Sequence, residues 1–220
     1  MMHKDTLSLL AKVVHLKHSA IRMEAGGKTL YIDPFKMEGS PKDADIIFVT
    51  HAHYDHFSPE DIKNVMKKDA VVVVTADIKE NAEKEGFGKV FTVMPGMEYE
   101  AGGIRFKTVP AYNIGKKFHP KEKNWVGYII HADGADYYFA GDTDFIPEMG
   151  DIRTDVAFLP VGGTYTMTPE EAVEAANLIK PQVAVPIHFA DIVGSEEDAG
   201  SFIKGLNVPI QGVILKRSVK

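Results

Sequence analysis

The chain carries far more short apolar runs than helices to cover them. Runs at residues 20–24 and 29–32 flank a Gly26-Gly27 turn. Others follow at 46–50, 71–75, 90–93, 104–109, 126–131, 136–140, 156–160, 183–187 and 213–216, each bounded by turn residues. Asp133-Gly134 between two of them is a strong hairpin signal. Helix starts are fewer. Ser58-Pro59-Glu60-Asp61 and Thr168-Pro169-Glu170-Glu171 each supply a cap, a first-turn proline and acids at the positive end of the dipole. Two more helical patterns cover 78–85, ending at Gly86, and 196–204. About ten strands against four helices cannot sit in one helix-covered sheet. Two sheets packed together, with helices outside, use every element.

Length and composition narrow the class further. The 220 residues allow one substantial domain, and 45% apolar with 25% charged residues describes an ordinary globular chain. No run approaches the roughly 20 apolar residues of a membrane helix. The apolar start at 7–14 is short and broken by Lys12, so neither a secretory signal nor a membrane partner is expected. Cysteine is absent, which removes disulfides, thiolate ligands and thiol nucleophiles and fits a cytoplasmic location. A net charge of -6 argues against nucleic acid as a partner.

Nine histidines stand out, and they are not scattered. The run Thr50-His51-Ala52-His53-Tyr54-Asp55-His56 directly follows an apolar strand. Neutral imidazoles beside a carboxylate suit zinc, and also manganese or iron. In extended backbone His51 and His53 point the same way and can share one ion, while Asp55 and His56 face a second. Two later segments also end strands: Ala140-Gly141-Asp142-Thr143-Asp144, where Asp142 can bridge two ions or serve as a turn residue, and Pro186-Ile187-His188. Alone, His188 reads as a core histidine. Beside the other two motifs it reads as a ligand.

H-x-H-x-D-H, then G-D-T-D, then P-x-H, each at a strand end, resemble the motifs of the metallo-β-lactamase superfamily, over essentially the whole chain. Leu16-Lys17-His18-Ser19, Ile32-Asp33-Pro34 and Gly162-Gly163-Thr164-Tyr165-Thr166-Met167 resemble its UlaG-like branch, which includes L-ascorbate-6-phosphate lactonase. The resemblance implies an α+β chain folded as a four-layer αββα sandwich, a single domain over 1–220, with two divalent ions at one edge. It also implies that His51, His53 and a third residue hold one ion, that Asp55, His56 and His188 hold the other, and that Asp142 bridges. The family's third histidine follows a Pro-Ala-aromatic turn, where this chain has Asn113. His119, six residues on, is the preferred substitute because imidazole is the commoner ligand.

Such a pair of ions implies hydrolysis by a metal-bridged hydroxide, with Asp55 orienting it and taking its proton. His18, Tyr112 and Tyr165 are candidates to touch the small-molecule substrate, and Asp33 to fix the tautomer of a ligand histidine. Lys116, Lys117, Lys121 and Lys123 surround His119 and read either as a solvated loop or as an electropositive mouth; the expected substrate is a small anionic lactone, ester or phosphoester. The competing readings are a phosphodiesterase or nuclease of the same superfamily and a non-catalytic metal-binding module.

Overall fold

A computed structural model describes residues 5–217. Its first sheet has six strands in sequence order: β1 (Val13–Lys17), β2 (Ala20–Ala25), β3 (Lys28–Ile32), β4 (Ala44–Phe48), β5 (Met66–Thr75) and β6 (Lys89–Val93). The second has seven, in reverse order: β7 (Glu98–Ala101), β8 (Ile104–Pro110), β9 (Val126–Ala132), β10 (Ala135–Phe139), β11 (Val156–Pro160), β12 (Val183–Ile187) and β13 (Gln211–Gly212). Strands β1 to β3 pair antiparallel and β3 to β6 parallel. In the second sheet β7 to β10 pair antiparallel and β10 to β13 parallel. A short helix, α1 (Thr6–Leu10), precedes β1. The longer ones are α2 (Pro59–Val65), α3 (Lys79–Lys84), α4 (Pro169–Ile179) and α5 (Glu196–Gly205).

The strand period of two explains why so many runs are apolar throughout. Ile46 and Phe48 of β4 face the inter-sheet core with Val126, Tyr128 and Ile130 of β9 and Val156 and Phe158 of β11. Their alternates face outward. Ile47, Val72 and Val74 pack with Ile62 of α2 and Ala82 of α3, while Ala157, Leu159 and Ala184 pack with Ala172 and Ala176 of α4 and Phe202 of α5. The expected four-layer αββα sandwich is the observed fold. Ser58 and Thr168 cap their helices as their sequences require, Thr168 within a full capping box with Glu171.

The sequence reading departs from the structure at the edges. Strands β1 and β7 and helix α1 escape it because Val13–Lys17 and Glu98–Ala101 mix polar and apolar residues. Residues 213–216, expected as a strand, are not one. Val213 donates one more hydrogen bond to the Ala184 carbonyl, and the chain then leaves the sheet to bridge Arg217 to His15 of β1. Among the described residues no helix is long and apolar enough to cross a membrane.

Candidate metal centre

The candidate residues stand just past strand ends: His18 after β1, Asp33 after β3, His51 to His56 after β4, Asp142 after β10 and His188 after β12. His18, Asp33 and His188 adopt left-handed backbone, with φ of 49°, 46° and 57°. This sparsely populated conformation for a side-chain-bearing residue breaks each strand abruptly and re-aims its side chain. Glycine is needed beside it. A Cβ on Gly162 would lie 2.4 Å from the His188 carbonyl oxygen, so the Gly162-Gly163 turn can pass only as glycine.

Asp142 lies at the centre, 4% exposed. Its Oδ2 is 3.0 Å from His188 Nε2, 3.3 Å from His119 Nε2 and 3.9 Å from His51 Nε2, and its Oδ1 is 3.2 Å from His56 Nε2. His53 Nδ1 is 3.0 Å from His51 Nε2. Asp55 Oδ2 is 3.3 Å from His18 Nε2 and 3.6 Å from His56 Nε2. Three groupings emerge whose donor atoms lie within 4.8 Å of one another: His51, His53 and His119; His51, His56 and Asp142; and His18, Asp55, His56 and His188. Tyr165 stands apart on the wall of the adjoining cavity.

The far sides of these rings are tied down. Asp33 accepts His56 Nδ1 at 2.7 Å, the Thr50 backbone N–H at 2.8 Å and the Thr50 hydroxyl at 2.8 Å. The Thr50 oxygen in turn lies 2.9 Å from His51 Nδ1. With its own proton donated to Asp33, the Thr50 hydroxyl accepts from His51 Nδ1–H, and Asp33 accepts from His56 Nδ1–H, so both rings turn Nε2 inward. His56 Nε2, His119 Nε2 and Asp142 Oδ1 are nevertheless buried without a hydrogen bond. Several orphaned acceptors converging on one point call for a cation. The donor set of imidazoles and carboxylates fits a divalent transition ion.

In the bare protein a proton on His56 supplies part of the positive charge that these carboxylates call for. Burial penalises a charged His56, yet the Asp142 and Asp33 carboxylates raise its pKa well above the ordinary value. Burial would raise Asp142, but the surrounding His188 and His56 hold it well below the usual carboxylate range. His51 is pushed well down, by burial first and by neighbouring His56 second.

Of Asn113 and His119, it is His119 whose ring stands with His51 and His53. The Asn113 carbonyl oxygen is 3.0 Å from His119 Nδ1 and also accepts the His119 backbone N–H, while its amide donates to Asp144 and to the Tyr165 carbonyl. Asn113 therefore aims His119. Asp144, passed over in the sequence, anchors this loop by accepting from the Ile114 N–H and Lys116 as well. The one tryptophan was also missed. Trp125, fixed by its Nε1–H to Asp77 at 2.8 Å, backs His51 and His53 at 4.9 Å each and His119 at 5.6 Å between ring centres.

Two expectations need correction. Lys116 does not form an electropositive mouth, because its ammonium is bound to Asp144 and the Thr166 carbonyl, both at 2.7 Å. Lys121 pairs with Glu148 and lies over the Tyr112 ring. Tyr112 does not reach the cavity either, since its hydroxyl donates to Glu148 and accepts from Lys121.

Residues 12–188 match the family model described as a beta-lactamase superfamily domain. A UPF0173 metal-dependent hydrolase of Pyrococcus abyssi is 36% identical over 227 residues, covering 94% of this chain and 97% of that one. A metal-dependent hydrolase structure from Parabacteroides distasonis superposes with a TM-score of 0.78 at 31% identity, over 94% and 93% of the two chains. A metallo hydrolase from Ignicoccus hospitalis gives 0.76 at 27% identity, over 93% and 94%.

Proposed function

Since the chain belongs to the metallo-β-lactamase superfamily and, within it, to the UPF0173 metal-dependent hydrolases, we propose that residues 1–220 act as one domain hydrolysing a small lactone, ester or phosphoester at a dinuclear centre. The observation that carries this reading is the convergence of buried, unpaired histidine and aspartate lone pairs around Asp142. His51, His53 and His119 would hold one ion, Asp55, His56 and His188 the other, and Asp142 would span the two. Zinc is the first expectation, with manganese or iron as alternatives. Bound there, the ions would supply Lewis acidity and a water of lowered pKa.

The protein's own groups do the rest. Water adds to the carbonyl or phosphoryl centre, the bond to the leaving oxygen breaks, and an acid and an alcohol result. Asp55 Oδ2 would take the proton released. His18 Nε2, beside that oxygen, steadies the carboxylate or receives the proton from it. Burial lowers the His18 pKa, which keeps the ring neutral beside the carboxylate. Tyr165, on the cavity wall, would contact the substrate. The test is elemental analysis for two ions per chain, then turnover of activated esters and of bis(p-nitrophenyl) phosphate. Loss of turnover in Asp55→Ala, together with a weaker hold on the ion beside His56 and His188, supports the enzyme. Ions without turnover of either probe leave a binding module, and turnover of the diester alone favours a phosphodiesterase.

A further inference from the structure

The cavity in front of the cluster measures about 210 Å³, below the roughly 300–1,000 Å³ of sites that hold drug-sized ligands. Its inner wall is the histidine and aspartate cluster. Its outer wall is Tyr54, Phe118, Tyr165 and Ile192. These side chains brace one another around the opening: Phe118 meets Tyr165 edge-on at 4.7 Å, and Tyr54 meets Phe35 at 5.9 Å. Tyr54 and Phe118 are nonetheless 68% and 45% exposed. Among the described residues lining the cavity none is lysine or arginine. Lys116 is bound to Asp144, and Lys36 near the same edge to Asp191 at 3.1 Å.

We infer that the substrate presents an uncharged, apolar arm, a short aliphatic or aryl group beside the scissile bond, to the rim formed by Tyr54, Phe118, Tyr165 and Ile192. A carboxylate or phosphate on that arm would lose its water against rings and methyl groups that offer no cation in return. A hydrocarbon arm gains from the same burial. The volume holds an arm of a few carbons. Negative charge is then welcome only at the reacting oxygen, next to the cluster. The inference rests on the hydrolase reading for its chemistry, though the rim's preference can be measured without turnover.

The full-length, metal-loaded protein is assayed with p-nitrophenyl butyrate and p-nitrophenyl hemisuccinate, whose acyl arms match in length and differ in the terminal carboxylate. The butyrate should win by at least tenfold in kcat/KM. Phe118→Ser and Ile192→Ser should each erode that ratio at least fivefold, whereas Lys117→Ala, outside the lining, should leave it unchanged. Binding is read separately through Trp125 fluorescence with butyrohydroxamate and succinic monohydroxamate, again with at least a tenfold preference for the apolar arm. Turnover with equal or better use of the hemisuccinate overturns the inference and spares the hydrolase. No turnover of either ester or of bis(p-nitrophenyl) phosphate, with the hydroxamates still ranked apolar first, overturns the hydrolase and upholds the rim's preference. Hydroxamates that rank equally, in reverse, or fail to bind overturn the inference.

Discussion

Asp33 is the residue on which the inward aim of two histidines depends, and Asp33→Asn isolates that role. Asparagine keeps the volume and tolerates the left-handed backbone at this position, so the turn should survive. The difference is in acceptors. One Asp33 oxygen takes the Thr50 N–H and the other takes both the Thr50 hydroxyl and His56 Nδ1. An amide has one acceptor oxygen, so at least one of these buried donors must face an NH2 group. An unmade bond of this kind costs about 1–3 kcal/mol. Loss of a carboxylate partner behind a ligand histidine weakens metal affinity by roughly 10–100-fold, which is about 1.4–2.7 kcal/mol. His56 feels this directly and His51 through Thr50. The assay is a chelator titration of the loaded protein with the retained ion counted at each step, run beside a thermal melt of the ion-free protein. The more weakly held ion should be stripped at ten- to a hundredfold lower chelator than in the parent. Parent-like retention of both ions, with a melt showing the variant folded, would refute the claim that Asp33 sets these rings.

Other positions give independent checks. Burial lowers the His15 pKa from 6.5 to about 4, so below 6.5 the unfolded chain takes up a proton that the folded chain refuses. Stability is therefore present above pH 6.5 and falls as pH drops towards 4, by about 3 kcal/mol in all; urea unfolding of the ion-free protein between pH 7.5 and 5 should show a steeper decline than in His15→Gln. Gly162→Ala forces the His188 backbone to move, and should lower stability by about 1–3 kcal/mol while loosening the ion near His188, both visible in melts with and without metal. Asn113→Ala frees His119 to rotate; one ion should bind roughly 10–100-fold more weakly and the other unchanged, as read by equilibrium dialysis.

Much of this architecture is legible in one dimension because strands buried on both faces spell themselves as unbroken apolar runs. Val156–Pro160, Pro169–Ile179 and Val183–Ile187 coincide with the elements expected there. The H-x-H-x-D-H run is equally readable, since its residues are near neighbours in the chain. What could not be read depends on loops meeting across the sandwich. The preference for His119 is open to sequence reasoning, but not that Asn113 holds its ring while Asp144, two residues past Asp142, staples their loop. Lys116 looks like a free cation in a basic stretch until that carboxylate is seen beneath it. Edge strands such as Glu98–Ala101 have one partner only and need no apolar alternation on both faces, so they carry no strong signal.

The placement of Asp142 also bears on motion. Its carboxylate is reached by histidines from three separate stretches of chain, at positions 51 and 56, 119 and 188. Each stretch is a loop that could open on its own, as surface loops do at small free-energy cost. An ion held among them would link those openings, because releasing any one stretch would cost its bond to the shared partner. Amide hydrogen exchange should then slow in all three loops together on loading, and a chelator should release them together, making the centre a single latch on an otherwise independently breathing rim.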